Sequence, residues 1–205
     1  MLGVTDVIGL ERGPDTLEVS EVTGGLELDL VTHDIGKFAA LLLKRNGYVL
    51  EQLYSPLVVA GGDLHDELKA IAVGCITRHH VHHYLGFAAT QWALHERSGR
   101  LKPLLYTFRV LKTGIHLMRT GRVEANVANL VDEDPRIPYL LDLIHQKRTG
   151  GERDPAPAES GLDYGRDVGV LRQALGEAHR VSRLPETSDA RTALHDFIVR
   201  VRMMG

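Results

Sequence analysis

The sequence predicts an α+β protein in which a small sheet is followed by a mostly helical C-terminal domain. Apolar and acidic residues alternate over Leu26–Val31, which is typical of a strand. From Asp63 onward, apolar residues recur instead at helical spacing. Gly61-Gly62 breaks the pattern between the two regions, so we predict one domain at residues 1–60 and a second at 61–205.

The sheet is predicted to begin with a β-hairpin. Val19–Thr23 and Leu26–Val31 both have strand character, and Gly24-Gly25 lies between them. Two glycines between strand-like segments are a strong hairpin signal, because tight hairpin turns need left-handed backbone conformations.

Side chains alternate between the two faces of the second predicted strand. Glu27 and Asp29 share one face, and the face expected to pack on the core carries Leu26, Leu28 and Leu30. Two close carboxylates are costly unless a cation neutralises them, and a divalent metal ion is one such cation. An ordinary half-buried strand with a solvated acidic face is the alternative.

A helix is predicted directly after this strand. It should cover Ile35–Arg45, with Thr32 or Asp34 as its N-cap. Asn46-Gly47 is expected to end it, since glycine readily takes the left-handed conformation found at helix C-termini. Leu57–Ala60 is expected to form a short apolar strand or an extended segment.

The second domain is predicted to be built from helices, at about residues 64–74, 78–97, 102–119, 136–147, 163–181 and 188–203. Between two of them, Thr149–Gly161 has no apolar period and is predicted to be a mobile loop.

The helix at about 102–119 is predicted to have two distinct faces. The core face should carry Leu104, Phe108, Leu111, Ile115 and Met118. The polar face should carry Lys102, Tyr106, Arg109, Thr113 and His116. Lys and Arg on one face can hold a triphosphate, although a simple solvated face is the alternative. On a solvent-facing stripe, replacement of Arg109 should cost little stability.

Four histidines cluster within His79–His83. His79 and His83 have the spacing of a two-histidine metal site on a helix, but no glutamate follows His79 and no third ligand is evident. A polar helix start with histidines bonded to backbone or phosphate is the favoured interpretation, and a metal hydrolase is a weaker alternative.

Composition restricts the classes of protein further. A chain of 205 residues can form one substantial domain or two small ones. Its net charge of −3 gives no general attraction to nucleic acid. One cysteine, Cys75, excludes an internal disulfide and fits a reducing cytosol. With no signal-peptide pattern and no run of 18 apolar residues, a cytoplasmic protein without a membrane span is expected.

Short motifs occur along the chain in a defined order: Asp29, Lys37-Phe38, Asn46, Leu50–Ser55, Lys102–Leu111 with the later Gly121, and Ser182–Glu186. In order and spacing they resemble the predicted nucleotidyltransferases of the DNA polymerase beta superfamily, of the RNA-ligase-associated type. The resemblance spans most of residues 7–202 and implies a partial polymerase-beta-like sheet.

The resemblance implies transfer of a nucleoside monophosphate from ATP or another NTP to an acceptor, which could be RNA, a protein or a small molecule. Such chemistry uses two Mg²⁺ ions held by carboxylates. By resemblance, Asp29 would be the catalytic metal ligand and Glu27 an accessory ligand. Lys102, Tyr106 and Arg109 would bind the nucleotide across the cleft between the sheet and the helices.

One departure from the family pattern concerns the metal site. The family's N-terminal Gly-Ser motif and Asp-x-Asp strand have no counterpart here, and Asp29 matches the third family carboxylate. We therefore expect an N-terminally truncated member with an incomplete metal site, or alternatively a non-catalytic nucleotide-binding, RNA-binding or interaction protein. Without the Asp-x-Asp strand a sheet edge should be exposed, which favours self-association.

Overall fold

The computed structural model describes residues 13–131, 137–158 and 161–204. Within these ranges a two-stranded antiparallel sheet precedes eight α-helices, which confirms the α+β prediction. The strands are β1 (Thr16–Thr23) and β2 (Leu26–His33). The helices are α1 (Ile35–Leu43), α2 (Gly47–Leu53), α3 (Asp63–Ala72), α4 (Val81–Ser98), α5 (Leu101–Thr120), α6 (Leu140–Thr149), α7 (Tyr164–Val181) and α8 (Arg191–Met203).

The hairpin forms as predicted. Gly24 and Gly25 have φ values of +61° and +82°, which residues with a Cβ rarely adopt. The turn sets an antiparallel register in which Ser20 is opposite Asp29.

The prediction that Leu26, Leu28 and Leu30 pack on the core is wrong. Their exposed fractions are 70%, 42% and 48%. In the described part of the chain the sheet has only these two strands, and the core is formed by helices. The alternation predicted the strand correctly, but it does not reveal whether another element packs against the apolar face of that strand.

Polar contacts attach the base of the hairpin to the helices. The Nζ of Lys37 lies 2.9 Å from an Asp15 carboxylate oxygen, and the backbone N–H of Asp34 donates to the Asp15 carbonyl. Asp34 is the N-cap of α1, one of the two predicted possibilities, and accepts from the Gly36 N–H. Its carboxylate also pairs with Arg202 of α8 at 2.5 Å.

The predicted end of α1 at Asn46-Gly47 needs correction. The left-handed residue is Arg45, with a φ of +62°, and Asn46 is the N-cap of α2. The Asn46 side chain accepts from the Tyr48 N–H, a role for which asparagine is well suited. Gly47 therefore starts a second helix, which the sequence analysis did not assign.

Two segments were predicted to lack helical structure, Leu57–Ala60 and Thr149–Gly161. Leu57–Ala60 forms no strand, and its apolar side chains are exposed. In the described part of the loop predicted at Thr149–Gly161, backbone hydrogen bonds tie Asp154 to Leu101 and Ala156 to Gly99. The loop is thus attached to the start of α5.

The core is organised around α5, which packs against α4 and α7. All five residues of its predicted core face are buried. Thr113, which was assigned to the polar face, is buried as well, so only part of that face is accessible. The same apolar cluster includes Leu42 of α1 and Leu50 of α2, whereas the domain boundary near residue 60 remains a prediction. In the described ranges, no helix combines the length and apolar character that a membrane span requires.

Candidate functional site

A cavity of about 430 Å³ opens between the N-terminal half of α5 and the C-terminal half of α6. Its walls are formed by Tyr48, Lys102, Leu105, Tyr106, Arg109, Val127, Ile144, Lys147 and Arg148. The three residues predicted to bind the nucleotide, Lys102, Tyr106 and Arg109, therefore all contribute to this cavity. Its place differs from the prediction, which put these residues across a cleft between the sheet and the helices, because the opposite wall comes from α6 and no described residue of the hairpin lines it. The three residues share one side of α5 because residues three or four positions apart are neighbours on a helix.

The cavity combines positive charge with apolar surface. Four cationic side chains line it, and Leu105, Val127 and Ile144 provide apolar walls. Lys and Arg bind phosphate through charge-assisted hydrogen bonds, and apolar and aromatic walls suit a flat ring. The surroundings therefore suit a ligand with an anionic part and an apolar part.

Two of the four cations were missed by the sequence analysis. Lys147 and Arg148 lie in the last turn of α6, where cations are common because they interact favourably with the helix dipole. Their local pattern carries no further signal. Their placement opposite Lys102 depends on how α6 packs against α5, which periodicity does not reveal.

The Arg109 side chain is largely buried and forms an ion pair with Glu51. Its Nη1 lies 2.6 Å from an Oε2 of Glu51 on α2, with side-chain exposures of 18% and 11%. Its guanidinium also lies 5.3 Å from the centre of the Tyr106 ring, within cation–π range. The expectation of a solvent-facing Arg109 is therefore wrong.

Glu51 is a further residue that the sequence analysis did not assign to the site. It belongs to the Leu50–Ser55 motif, and its pairing with Arg109 joins two motifs that are far apart in sequence. Nearby Tyr84 is fully buried, and burial together with the Glu51 charge raises the pKa of its hydroxyl. Glu51 therefore interacts electrostatically with both Arg109 and Tyr84.

Lys102 and Lys147 share one carboxylate, that of Glu152. Lys102 pairs with Oε1, and the Nζ of Lys147 lies 3.0 Å from Oε2. Hydrogen bonds from the two lysines lower the pKa of Glu152 to about 2. In turn, the bond to Glu152 raises the pKa of Lys102, with a smaller contribution from the charge of Glu27.

The two predicted carboxylate ligands lie on β2, and the walls of the cavity are formed by other residues. The charge of Glu27 makes a small contribution to the raised pKa of Lys102. Asp29 is exposed, and its Oδ1 accepts a 2.6 Å hydrogen bond from Ser20 on β1. The hydrogen bond of Asp29 is therefore made within the hairpin.

The oxygens of Glu27 and Asp29 are of the type that Mg²⁺ prefers. However, the residues that the structure describes include no group of three or more His, Cys, Asp or Glu side chains placed to hold a metal ion. A two-ion centre needs more carboxylate ligands than these two. The described residues therefore do not by themselves fit the pair of Mg²⁺ ions that the resemblance implies.

The histidines form a separate surface cluster. His79 lies 2.8 Å from a carboxylate oxygen of Glu186, its ring centre is 5.9 Å from that of His82, and His82 lies 6.1 Å from His179. His83 instead packs against α2. The i, i+4 pair of the sequence analysis is therefore divided between two surroundings.

Comparison with known proteins identifies the class to which this arrangement belongs. A small hairpin followed by a helical domain is consistent with a polymerase beta-like nucleotidyltransferase. Residues 3–200 match the sequence model of a family described as the RNA repair pathway DNA polymerase beta family, and the chain belongs to that family.

Among curated proteins, the chain is 30% identical over 163 residues to an uncharacterized protein of Methanocaldococcus jannaschii. The alignment covers 76% of this chain and 64% of the relative, so the chain spans less than two thirds of that protein's length. No solved structure matches the chain.

Proposed function

We propose that this chain binds a nucleoside triphosphate in the cavity between α5 and α6 and takes part in nucleotidyl transfer. The observation that carries the proposal is the convergence of Lys102, Tyr106 and Arg109 with two further cations, Lys147 and Arg148, on one cavity. Family membership supports the same activity class.

The cavity walls divide naturally between the two parts of a nucleotide. Lys102 and Lys147 act as point charges for phosphate oxygens, whereas Arg148 can bind two oxygens at once. Tyr106 and the apolar wall at Ile144 offer a surface for the base. Glu51 fixes the position of Arg109 and leaves the tyrosine ring beneath its guanidinium.

In the reaction of such an enzyme, an acceptor hydroxyl attacks the α-phosphate of the NTP and pyrophosphate leaves. Asp29 and Glu27 remain our proposed Mg²⁺ ligands, because their carboxylates share one face of β2. The acceptor, whether RNA, a protein or a small molecule, is left open.

A non-catalytic nucleotide-binding or RNA-binding role is the second candidate. It is favoured by one observation, the lack of a third metal ligand beside Glu27 and Asp29 among the described residues. A transfer assay with α-labelled NTP separates the two roles. The first role predicts slow transfer by this chain alone that Asp29→Asn abolishes and Glu21→Gln preserves, and the second predicts no transfer above background. Robust transfer that depends on Asp29 would contradict the expected incomplete metal site.

Nucleotide binding itself is tested by calorimetric titration of the protein with Mg·ATP. The double variant Lys147→Gln, Arg148→Gln should bind ATP at least about tenfold more weakly, because two charge-assisted phosphate contacts are lost. Lys44→Gln removes an exposed charge outside the cavity and should leave the affinity unchanged. Equal affinity of the double variant and the native chain would contradict the proposed site.

A further inference from the structure

Glu152 bridges Lys102 and Lys147, two of the cationic side chains that line the cavity. One carboxylate oxygen pairs with Lys102 of α5 and the other with Lys147 of α6. The bridge therefore connects the two helices that form the cavity walls, at the positions where the proposed function requires phosphate.

The chain on either side of Glu152 is anchored, while its side chain remains accessible. The Gly151 N–H donates to the Asp154 carboxylate at 2.6 Å, and the Asp154 carbonyl accepts from the Leu101 N–H at 2.9 Å. The Glu152 side chain is 64% exposed. Ion pairs at such exposure are weak and exchange readily, so this carboxylate can be replaced without disrupting the fold.

We propose that Glu152 occupies the position of a nucleotide phosphate, and that the β- and γ-phosphates of a bound NTP replace its carboxylate on Lys102 and Lys147. This inference rests on the proposed function and identifies the phosphate subsite within the cavity. Carboxylate and phosphate oxygens both accept charge-assisted hydrogen bonds from ammonium groups, so one anion can replace the other. The two lysines have an anionic partner in both states.

The replacement makes Glu152 a competitor for phosphate. Like any glutamate, Glu152 is charged at neutral pH, and its two lysine partners lower the pKa of its carboxyl further, to about 2. A ligand that needs these lysines binds only to the fraction of molecules in which Glu152 has moved away, which weakens its apparent affinity by that fraction. A nucleoside without phosphates does not need them and should be unaffected.

Titration of the native chain, Glu152→Gln and Glu177→Gln with ATP, pyrophosphate and adenosine tests the inference. Glu177 is an exposed carboxylate on α7 outside the cavity, so its variant is matched in net charge. We expect Glu152→Gln to bind ATP and pyrophosphate roughly threefold to tenfold more tightly, with adenosine affinity unchanged. The control should bind all three ligands as the native chain does.

Equal or weaker binding of ATP by Glu152→Gln would overturn the inference while leaving the proposed function in place. A parallel gain for adenosine would overturn it too, since the variant would then act on the cavity in general. If neither the native chain nor the variant binds ATP, both the inference and the proposed function fail. Thermal unfolding of each variant verifies that the comparison is made between folded proteins.

Discussion

Arg109 has two roles at the scale of a single residue. Its guanidinium lines the cavity, and it also forms a largely buried ion pair with Glu51 that connects α5 to α2. Removal of one partner of such a pair leaves the other charge poorly solvated, which costs more than the loss of a surface pair. Stability and ligand binding are therefore coupled at this position.

Arg109→Ala is predicted to lower the free energy of unfolding by about 2 kcal/mol, a value between those typical of surface and buried pairs. Urea unfolding monitored by circular dichroism measures the change. Arg119→Ala, on the exposed last turn of the same helix, should change the stability by less than about 0.5 kcal/mol. If the urea unfolding curve of Arg109→Ala matched that of the native chain, the ion pair would contribute nothing to stability.

His80 makes the stability of the protein dependent on pH. It is buried, with its Nδ1 3.2 Å from the backbone nitrogen of Thr77, and burial lowers its pKa from 6.5 to about 4. The unfolded chain binds a proton at this residue more readily than the folded one. The stabilisation is therefore complete above pH 6.5 and is lost as the pH falls toward 4.

From this shift we predict that acidification from pH 6.5 to pH 4 removes up to about 3 kcal/mol of stability through His80. The His80→Asn variant should have a flatter dependence of stability on pH, because asparagine does not titrate. Replacement of the exposed His82 by asparagine should retain the native dependence. Identical curves for the native chain and His80→Asn would assign the acid sensitivity to other groups.

At the scale of elements, the close approach of α2 to α4 depends on Gly47. A Cβ atom at this position would lie 2.5 Å from the Cδ2 atom of His83, a distance shorter than Cβ atoms show to their neighbours in real proteins. This contact brings α2, and with it Glu51, against the helices that support the cavity.

Gly47→Ala is predicted to destabilise the protein by about 1 kcal/mol, because the His83 ring must move and the gain in helix propensity offsets only part of that cost. Gly86→Ala, within α4 and with open space around its Cβ position, should stabilise the protein by up to about 1 kcal/mol. Thermal unfolding of both variants gives the signs. A stabilising Gly47→Ala would show that the two helices are free to separate.

Local sequence patterns predicted some of the structural elements correctly and missed others. The hairpin, the Asp34 cap and the buried face of α5 were predicted because each depends on local periodicity or on a turn. For the cavity, only the α5 residues Lys102, Tyr106 and Arg109 were predicted, and the opposite wall was expected from the sheet rather than from α6. Lys147 and Arg148 complete the cavity through the packing of α6 against α5, for which a single sequence contains no local signal.

At the scale of the whole molecule, the hairpin presents large apolar side chains to solvent along both strands. Both its faces are accessible, and within the described ranges neither strand pairs with a third. Unpaired strand edges template pairing between chains, which remains the physical basis for the predicted self-association.

The weight-average mass of the protein is predicted to increase with concentration in sedimentation velocity. Leu26→Lys, which places a charge on the hairpin, should reduce this association, as charged residues do at natural sheet edges. Leu57→Lys adds the same charge at another exposed leucine and should leave it unchanged. A monomer at every concentration would contradict the prediction and indicate that the edge is covered in solution.

The central claim, that the cavity between α5 and α6 holds the nucleotide, is tested most directly by photolabelling with an azido-ATP analogue followed by peptide mapping. We predict labelling of the peptides that carry Tyr48, Tyr106 or Ile144, and its loss in the presence of excess ATP. Labelling instead at the surface cluster around His79 and His179, with none at the cavity, would contradict the account.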